Sequence, residues 1–208
     1  AFRDGLASSL RNLILQPTSG LVSTLRQRKA PEEVALIERA IAIQDAALEE
    51  VLRQMRPGMT EAQFTATLEY QMRMHGAAGA SFEPIVGSGP NSSVIHHMPG
   101  DRPITDGLLL VDWGARYEGY CSDLTRTFCL GPLSAEMTKV YGVVLEALEA
   151  AIAACRPGAD CADVDAVARD LISTAGYANE FPHGLGHGLG MEVHEAPYFS
   201  SRSRGTAL

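Results

Sequence analysis

Apolar residues recur at helical spacing in two long stretches of the chain, residues 31–55 and about 134–155. Each stretch is followed by an Arg-Pro-Gly triplet and then by a second stretch with the same period, over residues 60–76 and 160–176. Residues three and four positions apart share one face of a helix, so all four stretches predict amphipathic helices. The Pro-Gly steps predict a break between the two helices of each pair.

The second helices of the two pairs are similar residue by residue. RPGMTEAQFTATLEYQMRMHG recurs 100 positions later as RPGADCADVDAVARDLISTAG. Thr60 and Asp160 are matched N-cap residues, and Gly76 and Gly176 are matched helix ends. The similarity extends beyond the helices, because HHMP at 96–99 returns as HEAP 98 positions later.

A duplicated unit predicts an α+β fold with two pseudo-symmetric α/β halves, each with helices over a mostly antiparallel sheet. The first half covers about 31–132 and the second about 133–208. Chance similarity between amphipathic helices is the alternative interpretation. Residues 1–30 lie outside the repeat, and we interpret them as a linker or the end of a preceding domain. Such a duplication predicts a site between the halves, built by both.

Two β-type runs in the middle of the chain bring acidic residues into a predicted hairpin. The runs are LLLVDW and YCSDLTRTF, and GARYEG lies between them as the turn. With the hairpin centred between Tyr117 and Glu118, Asp112 faces Asp123 on the neighbouring strand. Like charges in opposite positions destabilise a sheet, and their burial costs still more unless a cation lies between them.

Other roles for these carboxylates are open at this level. Asp112 could cap the turn, and Asp123 could pair with Arg126 or Arg116. The two carboxylates could also share one proton, as carboxylate dyads do. The histidines of the chain favour a cation instead.

Five of the six histidines fall into two clusters at matching places of the repeat. The first holds His96 and His97, and the second, HGLGHGLGMEVHEAP, holds His183, His187 and His194. The glycines of the second cluster allow close backbone turns that leave the rings room to converge. Its GLGHGLG run lacks the sequence of a phosphate-binding loop. Carboxylates with an imidazole suit Mn²⁺, Co²⁺, Fe²⁺ or Zn²⁺, and two such ions can activate a water together.

Composition narrows the class of function. The 208 residues are 46% hydrophobic and 20% charged, with a net charge of −8 and one short basic run, LRQRK. Nucleic acid is therefore not an expected partner, and no apolar run is long enough to predict a membrane span. The four cysteines, Cys121, Cys129, Cys155 and Cys161, have no regular spacing, which predicts reduced thiols in a cytoplasmic protein.

Three motifs in order, VDWGA, SDLTRTF and GHGLGMEVHEAP, resemble the pita-bread metallopeptidases over about residues 30–200. This family includes methionine aminopeptidase, Xaa-Pro aminopeptidase and Xaa-Pro dipeptidase (prolidase). The DLTRTF strand, the upstream linker and the short histidine loop resemble the Xaa-Pro branch. The resemblance implies the pita-bread (creatinase/aminopeptidase) fold, with a dinuclear metal site between two related halves.

The resemblance also implies a metal-ligand set. Asp112 is expected to bind one ion through both carboxylate oxygens, Asp123 to bridge two ions, and His187 to supply an imidazole. Two divalent ions are expected, with manganese first and cobalt or zinc as alternatives. The family's two remaining ligands are glutamates on strands beyond HEAP, whereas this sequence stops at Leu208, eleven residues after Pro197. We therefore expect a piece of a longer protein, without its C-terminal strands.

The remaining histidines are expected to act on the substrate. The resemblance places His96, rather than His97, near the substrate, and His194 at the scissile amide or the transition state. It places His183 in the substrate pocket of proline-specific members. The implied reaction is metal-dependent hydrolysis of the Xaa-Pro bond at the N-terminus of peptides, by a homodimer. Methionine aminopeptidase activity is an alternative, and so is a peptide-binding module without turnover, which the missing glutamates favour.

Overall fold

A computed structural model describes residues 5–6, 16 and 18–208. The helices of the continuous part are α1 (Leu21–Gln27), α2 (Pro31–Gln54), α3 (Glu61–Met74), α4 (Ala135–Ala154) and α5 (Cys161–Thr174). The strands are β1 (Gly79–Ala80), β2 (Ile85–Ser88), β3 (Gly107–Trp113), β4 (Ala115–Tyr117), β5 (Tyr120–Cys121), β6 (Leu124–Leu130), β7 (Gly186–Gly188) and β8 (Glu195–Phe199). Both predicted helix pairs are present, and every strand pairing is antiparallel, which confirms the α+β class.

The predicted capping residues set the helix boundaries. The Thr60 hydroxyl accepts a hydrogen bond from the Gln63 amide, and the Gln63 side chain accepts one from the Thr60 amide, both at 3.2 Å. Asp160 accepts from a backbone amide at the start of α5. Gly76 and Gly176 follow the helix ends with φ angles of 104° and 96°, a conformation that favours glycine.

The helices pack on strands in two separate apolar cores. In the first, α2 and α3 pack against two three-stranded sheets, with strand orders β2-β3-β6 and β1-β4-β5. Its largest fully buried side chains include Trp113, Phe64, Ile43, Leu68 and Met72. In the second, α4 and α5 pack near the two-stranded sheet β7-β8 around smaller side chains, among them Ala147, Ala151, Val164, Ala168 and Ile172.

The register of the central hairpin differs from the prediction. Asp112 pairs with Thr125 rather than with Asp123. The turn is centred on Glu118 and Gly119, whose φ angles of 45° and 88° are those of a two-residue hairpin turn. The predicted turn centre was one residue too early, and each such error moves every cross-strand partner by two positions.

The strand predicted over YCSDLTRTF is also interrupted. Ser122 and Asp123 separate β5 from β6, because the chain here leaves one three-stranded sheet and enters the other. The buried Ser122 hydroxyl accepts a hydrogen bond from the Ala115 amide at 2.9 Å, and the Ser122 amide donates to the Ala115 carbonyl at 2.9 Å. Asp123 therefore lies at the junction of two sheets and not inside a strand.

The segment interpreted as a linker contains α1, which contacts β8. Residues 1–4, 7–15 and 17 of that segment lie outside the described residues. Among the helices that the structure describes, none is both long enough and apolar enough to span a membrane.

Candidate active site and metal centre

A cleft of about 410 Å³ brings together most of the predicted site residues. Its walls come from the β2-β3-β6 sheet, from the loop after β2, from β7 and from the loop before β8. Both predicted halves therefore contribute to it. The predicted site residues in its lining are His96, Asp112, Asp123, His187 and His194.

The two aspartates of the cleft are partly buried and close enough to repel each other. Burial raises the pKa of Asp112 to about 6, and the charge of Asp123 adds to that rise against a hydrogen bond from Thr125. Burial also raises the pKa of Asp123, against the attraction of His187. The Oδ1 atom of Asp112 is buried without a hydrogen-bond partner in the described part of the chain. A buried carboxylate oxygen without a partner is unfavourable, and a bound cation or a proton would stabilise it.

The Nε2 atom of His187 lies beside the carboxylate of Asp123. The Nδ1 atom of the same ring lies 3.0 Å from the Gly188 carbonyl, which can only accept, so Nδ1 carries the hydrogen. In the neutral ring Nε2 is then an acceptor, and it lies 3.5 Å from Oδ2 of Asp123, which is also an acceptor. A cation between them would satisfy both atoms. A backbone contact at one ring nitrogen that frees the other is usual for histidine metal ligands.

These three side chains fit a divalent cation by donor type. Two carboxylates and one imidazole suit Mn²⁺, Co²⁺ or Zn²⁺. Within the residues that the structure describes, no group of three or more His, Cys, Asp or Glu side chains is arranged as a finished metal site. Asp112, Asp123 and His187 therefore match a divalent cation by donor type and by their place in one cleft, and their role as metal ligands stays a prediction.

Close packing in the β7-β8 ribbon holds His187 and His194 together. Their ring centroids lie 4.1 Å apart, with the planes tilted by 51°. A Cβ atom on Gly188 would lie 2.8 Å from the Ala196 carbonyl oxygen, so only glycine allows β7 to approach β8 this closely. Gly188 therefore allows the close approach of β7 and β8 that accompanies the contact between the two rings.

The structure distinguishes the two histidines of the first cluster. His96 is exposed in the cleft and has a φ angle of 56°, which is uncommon for a residue other than glycine. The Nε2 atom of His97 is held 2.8 Å from the buried carboxylate of Glu61. Both rings line the cleft, but only His97 is held by Glu61, and the role of His96 near the substrate stays a prediction.

Glu61 organises the loop that carries His96. Its carboxylate accepts hydrogen bonds from the Ser88 amide at 2.8 Å and from the Asn91 side chain at 3.0 Å. Burial raises the pKa of Glu61, but the hydrogen bonds from His97, Ser88 and Asn91 outweigh it and leave the pKa below its ordinary value. The carboxylate is thus held ionised at the centre of the loop.

His183 lies outside this cleft. It lines a separate cavity of about 380 Å³ together with Arg169 and the segment 200–202. Its Nδ1 atom donates to the Gly184 carbonyl at 2.8 Å, and its ring meets the edge of Phe181 at 4.9 Å. The structure does not bring His183 to the other site residues, and its place in a substrate pocket stays a prediction.

Several lining residues were not predicted from the sequence. Glu83 adds an exposed carboxylate, and Thr125 bonds Asp112 from the neighbouring strand. Phe82, Ile85 and Val193 form apolar parts of the wall. The signal that could have found Glu83 is the repeat itself, in which FEPIVGSG matches the histidine-bearing FPHGLGHG.

The two glutamates of the histidine motif do not line the cleft. Arg26 contacts both Glu192 and Glu195, and Lys29 contacts Glu195. Both carboxylates are therefore paired with cations from the segment before α2.

Known proteins match the chain closely. Residues 35–208 match metallopeptidase family M24. The Xaa-Pro dipeptidase of Pyrococcus furiosus is 38% identical over 181 residues, which are 86% of this chain and 52% of that protein. The structure of an Xaa-Pro dipeptidase from Bacillus anthracis has a TM-score of 0.94 at 38% identity, over 99% of this chain and 58% of that one.

A second solved structure is an X-Pro aminopeptidase from Thermotoga maritima. It is 39% identical with a TM-score of 0.90, over 100% of this chain and 58% of that one. The chain spans about half the length of the curated relatives it matches. The family match covers most of the chain and includes every residue that lines the cleft. This chain belongs to metallopeptidase family M24 and has the pita-bread fold of its Xaa-Pro peptidase branch.

Proposed function

We propose that the protein containing this chain hydrolyses the bond between an N-terminal residue and a following proline. The cleft carries this proposal, because it collects two aspartates and four histidines from both predicted halves. The similar proteins named Xaa-Pro dipeptidase and X-Pro aminopeptidase support the same substrate class. A comparison of Ala-Pro with Ala-Pro-Ala decides whether the protein cleaves dipeptides or longer peptides.

Asp112, Asp123 and His187 would hold divalent cations, for which we propose a pair of ions with manganese first and cobalt or zinc as alternatives. The orphaned Oδ1 atom of Asp112 and the facing acceptors of His187 and Asp123 support this assignment. When bound, such ions supply Lewis acidity that activates a water molecule and polarises a carbonyl. A pair of ions would need more ligands than these three side chains supply.

The histidines would hold the substrate amide in place. His194 lies against His187, so its ring can offer an N–H to the oxygen of the scissile amide beside the ligand set. His96 enters the cleft from the opposite loop, on the other half. Such preorganised donors stabilise charge that develops on the amide oxygen during hydrolysis.

The rest of the cleft suits the free end of a peptide. The exposed carboxylate of Glu83 suits the ammonium group of an N-terminal residue. Phe82, Ile85 and Val193 offer apolar surface to a side chain or a proline ring. We place this activity in a cytoplasmic homodimer, from the sequence and the resemblance alone.

The test uses the full-length protein with Mn²⁺ and three substrates: Ala-Pro, Ala-Pro-Ala and Met-Ala-Ser. Mass spectrometry measures release of the first residue. Release of alanine, lost on chelation, is the expected result, and its dependence on chain length separates the dipeptidase from the aminopeptidase. Release of methionine alone would favour the methionine aminopeptidase alternative, and binding without release would favour the binding module.

A pair of variants assigns the activity to the cleft. Asp123→Asn keeps the size of the side chain but removes the charge, and we expect a loss of at least about 100-fold in turnover and in Mn²⁺ affinity. Asp170→Asn makes the same change at an exposed position on α5 and should leave both unchanged. Equal activity of the two variants would contradict the assignment of Asp123.

A further inference from the structure

The carboxylate next to His194 is buried between two cations from outside the repeat. Glu195 directly follows His194, and its side chain is 7% exposed. The ammonium of Lys29 lies 3.0 Å from one of its oxygens, and the guanidinium of Arg26 contacts the other. The Lys29 side chain is itself only 13% exposed, so this pair is shielded from water.

The same carboxylate closes the loop that precedes β8. Glu195 accepts a hydrogen bond from the Glu192 amide at 3.0 Å. A Cβ atom on Gly190 would lie 2.8 Å from Glu195 Oε2 and 2.9 Å from Lys29 Cε. The absence of a side chain at Gly190 therefore makes the space in which Lys29 reaches Glu195.

The opposite side of this loop is fixed to β5. The Cys121 amide donates to the Gly190 carbonyl at 2.7 Å, and the Cys121 thiol lies 3.5 Å from the Met191 carbonyl. The neighbouring Tyr120 hydroxyl donates to Glu33, in the first turn of α2, at 2.6 Å. The loop 188–195 is thus held between β5 on one side and the segment before α2 on the other.

Loss of Lys29 would leave Oε2 of the buried Glu195 carboxylate without its cation, while Arg26 still contacts Oε1. A buried carboxylate oxygen that loses its cation is unfavourable, so the loop would have to move until water reaches that oxygen. His194 is covalently adjacent to Glu195 and its ring centroid lies 4.1 Å from that of His187, so this movement would displace His194 from its place beside His187. Small displacements of a catalytic group lower turnover strongly.

We propose that Lys29 is a positioning residue for His194 and that it acts through Glu195, with Arg26 in a supporting role. The proposal rests on the proposed function of His194 in the cleft. It gives residues 26–29, which lie outside the repeat, a part in building the active site. Deletion of the repeat-flanking segment would then affect the chemistry of the cleft as well as the fold.

The experiment compares Lys29→Met with Arg28→Met in the full-length protein. Each removes one positive charge from the same short segment, but Arg28 is exposed. For Lys29→Met we expect kcat on Ala-Pro to fall at least about tenfold with KM changed less than about threefold. We also expect amide hydrogen exchange in the 188–195 loop to become about tenfold faster, while α2 and α3 keep their protection. Arg28→Met should change neither quantity.

A second variant checks that Lys29 acts through the carboxylate. Glu195→Gln keeps an acceptor for the Glu192 amide but removes the charge that Lys29 binds. Adding Lys29→Met to Glu195→Gln should change kcat and loop exchange less than Lys29→Met does alone, because contacting residues are not additive. Full additivity would overturn the proposal.

Two further results would also overturn it. One is equal behaviour of Lys29→Met and Arg28→Met. The other is faster exchange spread evenly over α2, α3 and the loop, because the pair would then stabilise the whole fold rather than position one residue. A wild-type protein that fails to cleave Ala-Pro would refute the proposed function. Hydrogen exchange needs no turnover, so the exchange data alone would still show whether Lys29 holds the loop through Glu195.

Discussion

The matched first helices of the two repeats, α2 and α4, carry the same kind of apolar face but bury it to different extents. Leu48 on α2 is 7% exposed, whereas Leu148, 100 positions later on α4, is 48% exposed. Gln44 is 1% exposed, although it is polar, whereas Val144 at the matched position is 53% exposed. The periodicity of the sequence therefore identifies the helix and its apolar face. How far that face is buried depends on the sheets that pack against it.

The sheets of the two regions account for this difference. Two three-stranded sheets lie against α2 and α3, whereas the described residues place only the short β7-β8 pair near α4 and α5. The first core accordingly contains Trp113 and Phe64, and the second is built mainly from alanine and valine. Within the described residues, the first helix pair therefore buries more large apolar side chains against strands than the second pair does.

Truncation of the matched leucines should give the largest contrast. Leu48→Ala removes buried methyl groups and should lower the free energy of unfolding by about 2–5 kcal/mol. Leu148→Ala acts at a half-exposed site and should cost less than about 1 kcal/mol. Urea denaturation of the 208-residue chain measures both. Equal costs would contradict the comparison and would mean that α4 is covered in solution.

The parts of the fold that could be predicted from sequence are those set by neighbouring residues. The caps at Thr60 and Asp160 and the helical period are local, and the helices lie where they were expected. The hairpin register was wrong because the positive φ angles of Glu118 and Gly119 were not recognised as the turn centre. The break at Ser122 was missed because alternation along a strand does not indicate a change of sheet.

The candidate site divides in the same way. Two aspartates on adjacent β-type runs and a glycine-flanked histidine can be recognised from their chemistry, and all three residues line one cleft. Glu83 and Lys29 carry no such motif. Their places depend on how distant segments pack, since Lys29 reaches Glu195 across 166 positions of sequence.

The two histidine loops are also held by different means. Glu61, on α3 of the first repeat, holds the loop of His96 through hydrogen bonds within its own half. Glu195 holds the loop of His194 and is itself neutralised by cations that precede the repeat. The loop of His96 therefore depends on the carboxylate of Glu61. The pH dependence of the unfolding free energy should reveal that dependence.

Glu61→Gln should have the intermediate effect and lower the free energy of unfolding by about 1–2 kcal/mol at neutral pH. The reason is that a neutral side chain makes weaker hydrogen bonds to His97 and Ser88. The pKa of Glu61 is lowered in the folded protein, so its contribution is complete above the unfolded value near 4.5 and is lost as pH falls through the folded value. The gap in unfolding free energy between wild type and variant should therefore shrink as pH falls from about 6 to about 3. Glu69→Gln, an exposed change on the same helix, should show no such narrowing. A gap that is constant with pH would count against an ionised Glu61.

The matched N-cap residues Thr60 and Asp160 should give the smallest contrast. The Thr60 side chain caps its helix, whereas the Asp160 side chain also binds a second segment of the chain. Thr60→Ala removes one side-chain acceptor and should cost about 1 kcal/mol, without effects beyond α3. Asp160 caps α5 and also accepts from the Gly205 amide at 2.6 Å, so Asp160→Ala should in addition speed amide exchange at Gly205. Asp160→Asn keeps an acceptor and should leave that amide more protected than Asp160→Ala does. If Gly205 exchanges equally in wild type and Asp160→Ala, the tie between the second cap and the segment 204–208 does not exist in solution, and the two caps are equivalent.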